Sequence, residues 1–215
     1  MAKIKQGILG GFSGKVAGVV GTSWKGRAVM KSRPLSVANP KTDAQVEQRG
    51  KFSEIAKLAS AILTTFVQPV ENPISGDVSG YNKFVKDNKA AFAANGTIQV
   101  ANFVCGGGKL PFADNVACVG NEGEEGLTVT WENPAGTSAL RLTDKVYAVA
   151  VNDKGEVYGV SSGTRTRTQE SASIVGNAGF DPLSSGDWYC VLVAFVSADG
   201  REVSVMQSAI VASIS

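Results

Sequence analysis

The 215-residue chain contains no histidine. That absence removes Ser-His-Asp and Cys-His nucleophilic catalysis, histidine general-base chemistry and most transition-metal sites together. Cysteine is scarce as well. Cys105, Cys118 and Cys190 form no close-spaced pair, which argues against a zinc site. The spacing leaves a Cys118–Cys190 disulfide open, but buried thiols suit a reducing compartment better. Long apolar runs are missing too, and nothing approaches the ~20 residues of a membrane-spanning helix. Gly7–Gly21 is interrupted by six glycines, Ser13 and Lys15, so it lacks the continuous apolar core of a signal peptide. The expectation is a non-enzymatic chain with no catalytic residue, cofactor or metal, made and kept without Sec export.

Acidic residues are absent from the opening of the chain. Residues 1–41 hold eight Lys or Arg and no Asp or Glu. The overall net charge of +2 hides this asymmetry: residues 1–100 carry +8 and residues 101–215 carry −6. The split divides the chain into a basic module, 1–100, and an acidic one, 101–215. It also permits head-to-tail attraction between copies, screened over roughly 10 Å at ordinary salt.

What is present in that opening is glycine among apolar side chains. Residues 1–34 hold seven glycines, and ordering so much glycine is costly. Gly14–Ser23 and Arg27–Lys31 are extended runs around Trp24-Lys25-Gly26, which predicts a β-hairpin arm. Ile8, Leu9, Phe12, Val16, Val19, Val20 and Trp24 are too many apolar side chains for a disordered tail. They are the candidate assembly interface, covered by other subunits. The competing reading takes the same stretch as a nucleic-acid-binding arm, with counterion release from its cations and base stacking on Trp24 and Phe12. A phosphate-binding loop at Gly10–Val16 is rejected, because Leu9 stands where its first glycine belongs and Val16 replaces the hydroxyl residue.

Asn39-Pro40 precedes a predicted helix with a Thr42/Gln45 capping box. Phe52, Ile55, Ala59, Ile62 and Phe66 form its apolar stripe, and Pro69 is expected to stop it. After a loop over residues 68–78, Ser79 caps a second helix carrying Tyr81, Phe84, Val85 and Phe92, ending near Asn95-Gly96. Two such helices have too little core to stand alone.

Beyond Asn95 the pattern turns to period two. Strands are predicted at 97–105, 117–119, 127–131, 145–152, 156–161, 171–175, 188–197 and 202–212, separated by turns such as Asn121–Gly126, Gly176–Asp181 and Asp199-Gly200. Val146, Ala148 and Ala150, with Val191, Val193 and Phe195, alternate as one buried sheet face requires. Trp131 and Trp188 are read as core residues, and Glu122, Glu124 and Glu125 as a solvated acidic turn.

Residues 127–134 (LTVTWENP) resemble the second strand of fibronectin type III domains. Tyr189–Phe195, Asp199-Gly200 and Ser204 are similar to that family's penultimate strand, hairpin and last strand. Over residues 109–215 this implies a seven-stranded sandwich with no obligatory disulfide. The fold class is then α+β: an N-terminal β-hairpin arm, a two-helix segment, and a C-terminal Ig/fibronectin III-like antiparallel β-sandwich. The blocks KIKQGILGGFSGKV, GTSWKG and NPKTDAQ also resemble uncharacterised proteins of Bacteroidota and their phages. That resemblance implies a particle context in the virion or a cytoplasmic assembly. The expected role is a structural subunit, with further copies and other subunits of the particle as partners and no membrane.

Overall fold

The computed structural model describes residues 3–4, 10–36, 39–95, 97–177, 183–184 and 187–214. It mixes helices with several mainly antiparallel sheets and divides into two compact units, Met1–Lys41 and Thr42–Ser215. The sequence reading set the boundary after residue 100. The contacts set it after Lys41, because the helices share a core with the strands that follow them.

The first unit is a four-stranded antiparallel meander, β1 (Lys3–Ile4), β2 (Phe12–Val16), β3 (Val19–Trp24) and β4 (Arg27–Ser32). The run expected as one strand over Gly14–Ser23 is two, split by a turn at Ala17-Gly18 where Ala17 takes φ 48°. Lys25 and Gly26 have φ 48° and 79°, the two positive values that a tight hairpin turn of matching twist requires.

In the second unit, α1 (Asp43–Ala61) begins at Thr42, whose side chain caps nothing; the expected capping box does not form, and Gln45 and Val46 N–H donate to the Thr42 carbonyl instead. Ile55, Ala59, Ile62 and Phe66 are fully buried. Phe52 is not part of that buried stripe: it is 58% exposed and lies on the outer surface of α1 beside Arg49, Ala56 and Lys57. Pro69 does not stop the helical path either. A π-helical turn at Leu63–Val67 leads into α2 (Gln68–Glu71), where proline stands in the first turn and its missing N–H costs nothing, and a 3₁₀ turn at Asn72–Ile74 follows. Ser79 does cap α3 (Gly80–Asn88), accepting from Asn82 N–H at 3.3 Å. α3 ends at Asn88 rather than near Asn95, since the Asn88 side chain turns to β5 (Val104–Cys105), donating to the Val104 carbonyl and accepting from its N–H. Only these two residues of the expected 97–105 strand are in β5; residues 100–102 form a 3₁₀ turn. Gly96 lies outside the described residues.

Two four-stranded sheets follow. One, in order β10-β7-β6-β14, comprises β6 (Asp114–Gly120), β7 (Gly126–Glu132), β10 (Ser171–Val175) and β14 (Ser213–Ile214), the last parallel to β6. The other, in order β13-β11-β8-β9, comprises β8 (Lys145–Asn152), β9 (Val157–Thr166), β11 (Tyr189–Val196) and β13 (Ile210–Val211). The strand expected over 202–212 is broken into short pieces. β12 (Gln207–Ser208) pairs with β5, after which the chain passes to β11 and then to β6. Of the Gly176–Asp181 turn, residues 178–181 lie outside the described residues.

The core is double. Leu127, Val129 and Trp131 of one sheet meet Val146, Ala148, Ala150, Val191, Val193 and Phe195 of the other. The intervening residues of β8 and β11, such as Val149, Val151, Cys190, Leu192 and Ala194, face a second cluster with Ile55, Ile62, Phe66, Phe84 and Phe92 of the helical layer. All eight residues of β11 are therefore buried. This geometry closes the disulfide question: Cys118 belongs to the inter-sheet cluster and Cys190 to the helix-side one, and all three cysteines are free. Trp131 is buried as expected, whereas Trp188 is half-buried against the helix-side cluster.

Candidate assembly surface

The first unit has no core of its own among the described residues. From Gly10 to Ser36 only Gly21 is buried. The register fixes which side chains share a face, because cross-strand partners point the same way and alternate residues point oppositely. Gly14 pairs with Gly21 and Gly21 with Met30; Val16 pairs with Val19 and Val19 with Ser32. One face thus holds Phe12, Gly14, Val16, Val19, Gly21, Ser23, Ala28, Met30 and Ser32 and carries no charge. The Phe12 ring lies over Gly21, where an added Cβ would stand 2.6 Å from ring carbons. Val16 and Met30 on this face are 51% and 69% exposed.

The opposite face is built on Lys15–Val20–Lys31 and Trp24–Arg27 cross-strand rows, with Thr22 opposite Val29. Lys15 and Lys31 stand two strand spacings apart, about 10 Å. Lys25 Nζ lies 5.2 Å from the centre of the Trp24 ring, a cation–π contact at a side chain that is 62% exposed.

Of the residues singled out as the interface, Phe12, Val16 and Val19 come together on the uncharged face. Val20 and Trp24 lie on the cationic one, and Ile8 and Leu9 lie outside the described residues. Met30 and Ala28 were missed. The signal for them was the alternation Arg27-Ala28-Val29-Met30-Lys31, which puts charge on one side and apolar atoms on the other. Gly10–Val16 runs into β2 rather than into a helix N-terminus, so it offers no phosphate cradle of the kind rejected from its spacing.

Elsewhere, two clusters hold enclosed ionisable groups. Glu71, 1% exposed, accepts from Lys83 Nζ at 2.8 Å and Gly106 N–H at 3.1 Å, and Lys83 also reaches Asp87 and the Gly106 carbonyl. Burial raises the Glu71 pKa despite Lys83. Burial opposes charge on Lys83, but Asp87 and Glu71 outweigh it and hold its pKa above the ordinary value. Arg167 is fully buried over the Phe195 ring at 4.1 Å, with Nε 3.4 Å from the buried Asp144 carboxylate and its carbonyl accepting from Trp131 Nε1. Burial raises Asp144 and lowers Arg167. Both clusters tie elements together: the first joins α2 and α3 to the Gly106 loop, the second joins the β9–β10 turn to Pro111 and Phe195. Neither carboxylate opens to solvent.

The chain belongs to DUF6266, a family of unknown function, whose model matches residues 11–209. No curated protein sequence matches it. Among solved structures, the adhesin domain of Epf from Streptococcus pyogenes is similar at 14% identity and TM-score 0.32, over 48% of this chain and a third (33%) of that one. A human fourth FNIII domain is similar at 12% identity and TM-score 0.31, over 50% of this chain and 81% of that one. At such scores the likeness adds nothing to the sheet order already described.

Proposed function

We propose that this protein is a non-enzymatic structural subunit of a virion or similar particle, such as a capsid decoration, head-fibre, connector or tail-associated component, that assembles through its first unit. The second unit is on this reading an Ig/fibronectin III-like antiparallel sandwich with a helical layer on one outer face. The observation that carries the reading is the uncharged face of the first unit. A small meander with Phe12, Val16, Val19 and Met30 on one side, and only Gly21 buried among its described residues, is marginal in water. Covering that face with another subunit buries apolar surface worth about 25 cal/mol per Å². It also offsets the ordering of a glycine-rich segment.

Deleting residues 1–41 tests this. The remaining chain should stay folded, since both core clusters lie within it, and should sediment as a monomer where the full chain forms oligomers. Unchanged oligomers after the deletion would falsify the reading.

A further inference from the structure

The cationic face of the first unit has a counterpart on the same chain. The β6–β7 turn, the β8–β9 turn and the segment entering β11 gather at one end of the second unit. The register sets Tyr189 beside Asn152 and Val175 beside Gly126, and Gly176 N–H donates to the Glu125 carbonyl. The described residues there present Glu122, Glu124, Glu125, Asp153, Glu156 and Asp187, all exposed, against one cation, Lys154. The field of these acids is felt locally. Burial raises the pKa of both Tyr158 and Tyr189, and Glu125, Asp187 and Asp153 raise it further, Tyr189 to about 12.

Among the described residues, the charges of these two surfaces have no ion pair within the chain, as is true of some isolated ones elsewhere such as Asp77 and Lys109, but only here do they gather by sign. Glu47, Glu54, Glu71, Asp87, Asp144, Asp199 and Glu202 each stand within ion-pair distance of a Lys or Arg. None of the six acids at the end does, and neither do Lys15, Lys25, Arg27 or Lys31 of the first unit. The surfaces also match in their apolar parts. Val20, Trp24 and Val29 lie among the cations, and Val119 and Val175, 43% and 67% exposed, lie beside the acids.

We infer that the face bearing Lys15, Trp24, Arg27 and Lys31 docks on the acidic end of a second copy of this chain. The inference rests on the assembly reading above and names the partner surface. The contact is heterologous, so repetition gives a ring or an open chain rather than a two-fold dimer. The uncharged face stays available for a different neighbour.

The test is sedimentation velocity on the full chain. Oligomers present at about 50 mM salt should dissociate near about 500 mM, where the screening length falls to a few ångströms. Lys15→Glu/Arg27→Glu/Lys31→Glu should abolish association at low salt, and so should Glu122→Lys/Glu124→Lys/Glu125→Lys. A one-to-one mixture of the two variants should restore association with the two kinds of chain alternating, because the native pair and the charge-swapped pair of surfaces both form between them and neither forms within one variant. A chain with both sets reversed should assemble again. If the wild-type oligomers survive both reversals, the docking inference fails and the assembly reading stands. If the wild type forms no oligomers at any salt, the assembly reading fails and takes this inference with it. If only the first-unit reversal matters, the face serves another polyanion, and a shift of labelled single-stranded or duplex DNA by the wild type would identify nucleic acid and overturn the inference.

Discussion

Cysteine chemistry in this protein is governed by where three thiols sit. Cys105, Cys118 and Cys190 are all buried, the first two 2% exposed and the third fully enclosed. Burial pushes Cys118 and Cys190 up to about 12, and Cys105 higher still, with Glu71 adding to it. Because the thiolate is the nucleophile, these groups are inert at neutral pH. Ellman's reagent at pH 8 should therefore detect no thiol in the native protein and all three after denaturation. Rapid native labelling of Cys190 would contradict its place beneath the helical layer. Arg167 teaches a related lesson. A fully buried guanidinium is tolerated because Asp144, the Phe195 ring and the Pro111 carbonyl surround it. Such pairs fix geometry more than they add stability.

At the level of elements, α1 shows why an apolar stripe needs a partner surface to become a core. Phe52 and Phe66 continue one three-and-four spacing, yet Phe52 is on the surface beside Arg49, Ala56 and Lys57 while Phe66 is enclosed. Phe66→Ala should cost about 3–5 kcal/mol in urea unfolding, and Phe52→Ala should stay within roughly 0.5 kcal/mol. Equal costs would mean that another surface covers the early turns of α1. The same comparison shows what was legible beforehand. The alternation at 146–150 and 191–195 located the inter-sheet face, and Ser79 located a cap, because both are local patterns. Tyr189–Val196 is an unbroken apolar run, as a strand buried on both faces requires, yet the alternation pointed to one buried face only, because the covering layer comes from residues 55–92 and period-two reasoning has no access to that distance. The helical path through Pro69 was hidden because a π-helical turn carries no sequence signature of its own. In the assembly surface, the residue types were visible early. Their division between two faces became visible only with the register, since moving one residue along a strand changes face.

For the whole molecule, the two units differ in how they can be stable. The second encloses two clusters, whereas among the described residues of the first only Gly21 is buried. Hydrogen exchange on the dissociated chain should thus show amides of β2–β4 exchanging at least about 100-fold faster than those of β8 and β11, as expected where local opening costs little. In the assembled form the β2–β4 amides should slow markedly. Equal protection in the two forms would mean that the meander is stable without neighbours.

The helical layer has one more consequence, and it concerns synthesis. Ile55, Phe66, Phe84 and Phe92 are buried against β8 and β11, strands that leave the ribosome later. Phe84 and Leu192 are roughly 100 residues apart, which at about 5–20 residues per second is a wait on the order of 5–20 s. Throughout that interval the nascent helices expose the side chains that later seal the molecule. The chain is most vulnerable to aggregation before its central strand has been translated.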